Sequence, residues 1–165
     1  MILIDASYLN SFGGKTIINL FLKELINSSL KYHLLLDVRL NLNVLKQIDQ
    51  SCYSIIRVSH RNRKYFYKNN IKNFSSIVCL SSVPPPLKNS LNTTIFFHNQ
   101  LFLDCFKYNI KFTHKLINYL KFLYIKFYNN KSYQWITQTQ LIKSLVHDNL
   151  KVDLKNISVY PIFKS

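Results

Sequence analysis

Gly13 and Gly14 are the two glycines of a 165-residue chain, and Lys15 follows them directly. They stand between a short apolar run, Ile2 to Ile4, and a segment with apolar residues at helical spacing, which puts them at a strand-to-helix exit. Missing side chains there let a phosphate or sugar approach backbone amides near a helix start. They equally permit a plain tight turn. Neither G-x-G-x-x-G nor G-x-x-x-x-G-K-[ST] is present, so Gly14-Lys15-Thr16 matches only the tail of a phosphate loop. His98 follows Ile95-Phe96-Phe97 and precedes Asn99 and Gln100, three polar side chains at a second strand exit. They are suited to binding hydroxyls, with His98 as a base or as a satisfied structural residue. Thr139 and Gln140 close a third strand and open a helix, where capping alone accounts for a threonine. The remaining histidines, His33, His60, His114 and His147, have no partners at metal-ligand spacing, and no metal site or Ser-His-Asp or Cys-His arrangement is legible.

The elements that must position these groups follow from hydrophobic periodicity. Strands are expected at Ile2 to Ile4, Tyr32 to Leu40, Ser54 to Ser59, Ser76 to Ser82, Thr93 to Phe97, Tyr133 to Thr139 and Ile157 to Ile162. Helical segments are expected at Lys15 to Asn27, Leu42 to Gln50, Arg61 to Phe74, Leu101 to Asn130 in two pieces, and Gln140 to Asn149. Continuous apolar strands alternating with helices predict an α/β fold, an open Rossmann-like parallel sheet with helices on both faces. Pro84-Pro85-Pro86 opens the one connection, Pro84 to Asn92, long and polar enough to expect mobility. Gly13, His98 and Thr139 should then meet at one sheet edge.

Composition narrows the class. Hydrophobic residues at 48% and aromatics at 15% exclude disorder, and 165 residues make one domain. Cys52, Cys79 and Cys105 are odd in number and widely spaced, as reduced thiols of a cytosolic protein are. Residues 1–5 lack the pattern of a secretory signal, and no apolar stretch is long enough to span a membrane. The net charge of +15 comes from 22 Lys+Arg against 7 Asp+Glu, with Glu24 the single glutamate. It favours polyanionic partners, although codon bias in an AT-rich genome also inflates lysine.

Two segments concentrate this charge among aromatics. Arg61, Arg63, Lys64 and Lys68 interleave with Tyr65, Phe66 and Tyr67, and Lys115, Lys121 and Lys126 with Tyr119, Phe122, Tyr124 and Phe127. The pattern fits an anionic membrane surface. It also fits a nucleic-acid grip, although no recognition motif accompanies it, or an ordinary helix with a core stripe and a solvated face.

Five features in order resemble the N-terminal, acceptor-binding domain of bacterial family 4-type glycosyltransferases, which are retaining enzymes of the GT-B fold. These are the first strand, Phe12-Gly13-Gly14, Thr94 to Gln100, Trp135 to Gln140, and Lys155-Asn156-Ile157-Ser158-Val159-Tyr160-Pro161-Ile162. The resemblance covers residues 1–165. It implies that His98 serves at the interdomain cleft and that Gly13, Gly14, Asn99, Thr139 and Gln140 bind substrate; Lys15 and Gln100, their neighbours at the same strand exits, are expected to join them. A nucleotide-sugar serves as co-substrate with no further cofactor. The acceptor would be a lipid-linked or cell-surface glycan, met on the inner face of the plasma membrane. The family's second, donor-binding domain has no counterpart in these residues. The expectation is complementation by a separate chain, or else an inactive remnant.

Overall fold

Inner strands carry continuous apolar runs, Ile2 to Ile4, Leu34 to Leu36, Ile77 to Cys79 and Ile95 to Phe97, as buried parallel strands do. In the computed structural model, which describes residues 1–9, 12–40, 43–109 and 111–161, seven strands form one all-parallel sheet. They are β1 (Ile2–Asp5), β2 (Tyr32–Asp37), β3 (Tyr53–Ile56), β4 (Ser76–Cys79), β5 (Asn92–Phe97), β6 (Gln134–Thr137) and β7 (Ile157–Val159), in the order β3-β2-β1-β4-β5-β6-β7. The chain runs outward from β1 to β3, then returns to place β4 on the other side of β1. Ile2 is in register with Tyr32 on one side and with Ser76 on the other. The reversal between β1 and β4 is the switch point at whose carboxyl end open sheets make a crevice.

Alternate residues of the strands separate into two cores, as the two-residue strand period requires. Leu3, Leu35, Ile77 and Phe97 pack with α2 (His60–Asn70), α3 (Phe112–Tyr128) and α4 (Gln140–Leu150). Ile4, Leu34, Leu36 and Phe96 pack on the opposite face with Ile18, Leu22 and Leu25 of α1 (Phe12–Ile26). Beyond α1, that second face is open as an apolar groove of about 590 Å³ bordered by Phe21, Val78, Ile136 and Tyr160.

Several expectations shift. α1 begins at Phe12, so both glycines sit in its first turn rather than in a loop, and no glycine has a positive φ. The expected helix from Leu42 is a 3-10 turn over Asn43–Gln47, with Leu42 outside the described residues. Leu101 to Asn130 yields one long helix, α3, after a 3-10 turn over Gln100–Phe102 and the turns around Asp104 and Lys107. Ile162, the expected end of the last strand, lies outside the described residues. The β4–β5 connection is anchored rather than free: Pro84, Pro85 and Pro86 are buried, and Arg63 donates to the Val83 and Pro84 carbonyls.

Candidate functional site

A cleft of about 580 Å³ opens where the switch point predicts. Its floor comes from strand exits: Tyr8 and Leu9 after β1, Arg39 after β2, Ser81 and Val83 after β4, and His98 and Asn99 after β5. Its walls are His60 at the start of α2, Phe102, and Ile117, Leu120, Lys121 and Tyr124 of α3.

His98 is the most constrained polar group there. Ser82, fully buried in the loop after β4, has φ 62°, a left-handed conformation that costs a non-glycine residue about 1–3 kcal/mol. That backbone turn brings its hydroxyl to His98 twice. The His98 backbone N–H donates to Ser82 Oγ at 3.0 Å, and the ring Nδ1 lies 3.3 Å from the same oxygen. The ring stacks on Phe96, with centroids 5.7 Å apart. Nδ1 is thus the ring nitrogen paired with Ser82, and the ring also lies within hydrogen-bonding reach of the Phe96 carbonyl. Burial lowers the His98 pKa below its ordinary 6.5, with the Phe96 carbonyl opposing, and the ring is neutral at pH 7. When Nδ1–H donates to Ser82, Nε2 presents its lone pair and can accept a hydroxyl proton. Asn99 caps the following 3-10 turn, its Oδ1 accepting from Leu101 N–H at 3.2 Å.

Cations ring the opening. Arg39, more than half exposed, is held by a bidentate pair with the buried carboxylate of Asp37 and stays charged. Lys121 reaches across the Phe102 ring, its Nζ 4.8 Å from the centroid, and burial lowers its pKa. His60, packed edge-on against Tyr124, is kept neutral by burial and by Lys64 and Arg63. Ser81 is 5% exposed, and its Oγ has no hydrogen-bond partner among the described residues. A buried hydroxyl in that condition costs about 1–3 kcal/mol unless a ligand completes it.

Beneath the cleft lies a correction. Arg63, expected to face a membrane, is 0% exposed. Its Nε donates to Asp5 Oδ2 at 2.8 Å, and the same carboxylate oxygen accepts from Tyr67 OH at 2.7 Å. Ser7 occupies the other oxygen through its N–H and its hydroxyl. Nη1 and Nη2 take the Pro84 and Val83 carbonyls. A buried guanidinium persists because each face of its fork is bonded, so Arg63 ties β1, α2 and the β4–β5 loop together and has no surface role. Cys79 lies in the same pocket, where burial and Asp5 push its thiol up to about 12, out of reach of thiolate chemistry.

Of the other expected site residues, Asn99 joins His98 in the cleft, whereas Gly13, Gly14, Lys15, Gln100, Thr139 and Gln140 do not line it. Gly14 has a packing reason: a Cβ there would meet the Leu9 backbone at 3.0 Å, while one on Gly13 meets nothing within 4 Å. Gln100 donates to Tyr108 OH at 2.6 Å. Thr139 caps α4, accepting from Ile142 N–H at 3.2 Å, two strands away from the switch point. Arg61, Lys68 and Lys126 are exposed, and Lys64 and Lys115 are half-buried.

Tyr8, Arg39, His60, Ser81 and Ser82 are additions that sequence reasoning missed. Arg39 and Ser81 had a usable signal, since each is a polar residue two positions past a strand end. The left-handed turn at Ser82 had none. Among the described residues no group of three or more His, Cys, Asp or Glu side chains is placed to hold a metal ion, and no helix is long and apolar enough to cross a membrane. Comparison of the chain with protein-family models, with curated proteins and with solved structures returns no match. Among the described residues the fold is a seven-stranded all-parallel open α/β sheet with four helices.

Proposed function

We propose that the cleft is the acceptor side of a glycosyl transfer, completed by a donor-binding domain that closes over the carboxyl edge of the sheet. The observation that carries this reading is His98: neutral, fixed by a strained serine, and lining a switch-point cleft beside Asn99. In the transfer, the bond from the donor's anomeric carbon to its diphosphate breaks and a bond to the acceptor oxygen forms. The hydroxyl proton must leave, and His98 is the group positioned to orient that hydroxyl and hold its proton. Arg39 and Lys121 at the rim suit an acceptor bearing phosphate. The acceptor is lipid-linked or part of a surface polysaccharide, and the chain works peripherally on the inner face of the plasma membrane.

The test is transfer from a panel of nucleotide-sugars, with and without candidate donor-binding chains. The expected result is no turnover by the chain alone, transfer on complementation, and a loss of about 10²–10⁴-fold in His98→Ala. Undiminished transfer in that variant removes His98 from the reaction, and turnover by the lone chain removes the need for a second domain.

A further inference from the structure

Helix α3 is built inside out. Phe112, Leu116, Tyr119, Leu120, Leu123 and Phe127 recur at the spacing of a single helix face, about 100° of arc, which ordinarily turns to the core. Here that face turns to solvent: the six are 77%, 49%, 38%, 57%, 42% and 66% exposed, while the residue α3 buries is Ile125, on the opposite side. Phe106, 65% exposed, extends the stripe by packing edge-on against Tyr119 at 5.7 Å. Single exposed apolar side chains are normal on a protein surface, but a contiguous stripe of this size marks an interaction face.

Charge identifies the occupant. The charged residues of α3 are the lysines Lys115, Lys121 and Lys126, with Lys111 just before it and no acid. By helical spacing Lys115 and Lys126 fall along one flank of the stripe, while Lys121 lies on the far side of the helix, at the cleft and over the Phe102 ring. Cations flanking a broad apolar stripe are the arrangement that lies in a lipid interface, with lysine stems along the acyl boundary and ammonium groups among headgroup phosphates. A second copy packed stripe to stripe would set lysine against lysine with no acid to answer it. Nucleic acid would find Leu116, Leu120 and Leu123 where it needs stacking rings.

We propose that the outward face of α3, extended by Phe106, docks the protein on an anionic bilayer with the helix axis in the membrane plane. The same helix walls the cleft through Ile117, Leu120 and Lys121, so docking sets the cleft mouth at headgroup level. This goes beyond the transfer reading and stands whether or not the cleft performs a transfer.

The test is sedimentation of the full chain with vesicles of phosphatidylcholine alone and of phosphatidylcholine mixed with phosphatidylglycerol, at low and high salt. Binding to the mixed vesicles, weakened by salt, with little to the neutral ones, is expected. Combining Phe112→Ser with Phe127→Ser should weaken it about tenfold or more, and combining Lys115→Gln with Lys126→Gln about tenfold. Thermal unfolding checks that the variants fold. Independently, Phe112→Trp supplies a reporter in an otherwise intact chain, since the sole tryptophan, Trp135, is fully buried and gives a constant background. Its emission should shift blue on the mixed vesicles and be quenched by brominated lipid. Equal binding to both vesicle types, unchanged binding in the Phe variants, or an unshifted reporter overturns the proposal. So does dimerisation or salt-sensitive oligonucleotide binding with none to vesicles.

Discussion

Helices α2 and α3 share a sequence pattern and are opposite in placement. Both interleave cations with aromatic rings, and in sequence both fit the same membrane surface. In α2 the pattern folds inward: Arg63, Phe66 and Tyr67, at i, i+3 and i+4, are buried, and the face left outside carries Arg61, Lys68 and a single large ring, Tyr65, 70% exposed. In α3 the richest apolar face points outward. Periodicity gives a helix two faces, but which face is interior depends on what the rest of the fold offers. At the switch point α2 meets the Asp5 carboxylate and two loop carbonyls that need donors, and a guanidinium satisfies all three. α3 walls the cleft and buries one residue fully, Ile125, with Phe122 and Tyr124 packed partly buried against the same core.

Removing the inward cation of α2 should have the largest effect. Arg63→Ala leaves Asp5 buried without its counter-charge and should cost about 3–5 kcal/mol, read as a fall in the denaturation midpoint. Lys68→Ala, on the exposed face of the same helix, should stay within about 0.5 kcal/mol. Equal effects would dissolve the distinction between the two faces. At a smaller scale the adjacent glycines repeat the contrast. Gly14→Ala drives a Cβ against the Leu9 backbone and should destabilise by about 1–3 kcal/mol. Gly13→Ala enters open space in a helix and should stabilise by up to about 1 kcal/mol. Urea unfolding of the pair decides it, and a loss of stability at Gly13 would contradict the geometry.

The pH dependence follows from histidines held neutral. Burial lowers the pKa of His98 and of His33, the latter opposed by a backbone hydrogen bond at Ser51. Above the ordinary value of 6.5 these rings are neutral folded or unfolded. Below it the unfolded chain takes up protons that the folded one resists, so stability present above about 6.5 is lost as pH falls. Denaturation midpoints should decline from neutral pH toward about pH 5, and His33→Asn combined with His98→Asn should flatten the decline.

Local pattern made the strand exits legible, and with them His98 and Asn99 at the carboxyl edge, because a continuous apolar run followed by polar residues has one reading in a parallel sheet. It could not show that Arg63 is interior, since the partner that permits its burial, Asp5, lies 58 residues away. Nor could it place Arg39 and His60 in the same cleft as His98, which only the strand order accomplishes. The glycine pair drew a ligand reading because it sat at a strand exit; the need it serves at Gly14 is close packing against Leu9.

The contrast between α2 and α3, and the membrane placement drawn from it, is tested most directly by hydroxyl-radical footprinting with and without anionic vesicles, read residue by residue. Without vesicles, Phe112, Phe127 and Tyr65 should oxidise, and the buried Phe66 and Tyr67 should not. With vesicles, Phe112 and Phe127 should become protected while Tyr65 continues to react. Protection of Tyr65 with Phe112 and Phe127 still reactive would put the bilayer on the wrong helix and contradict the account.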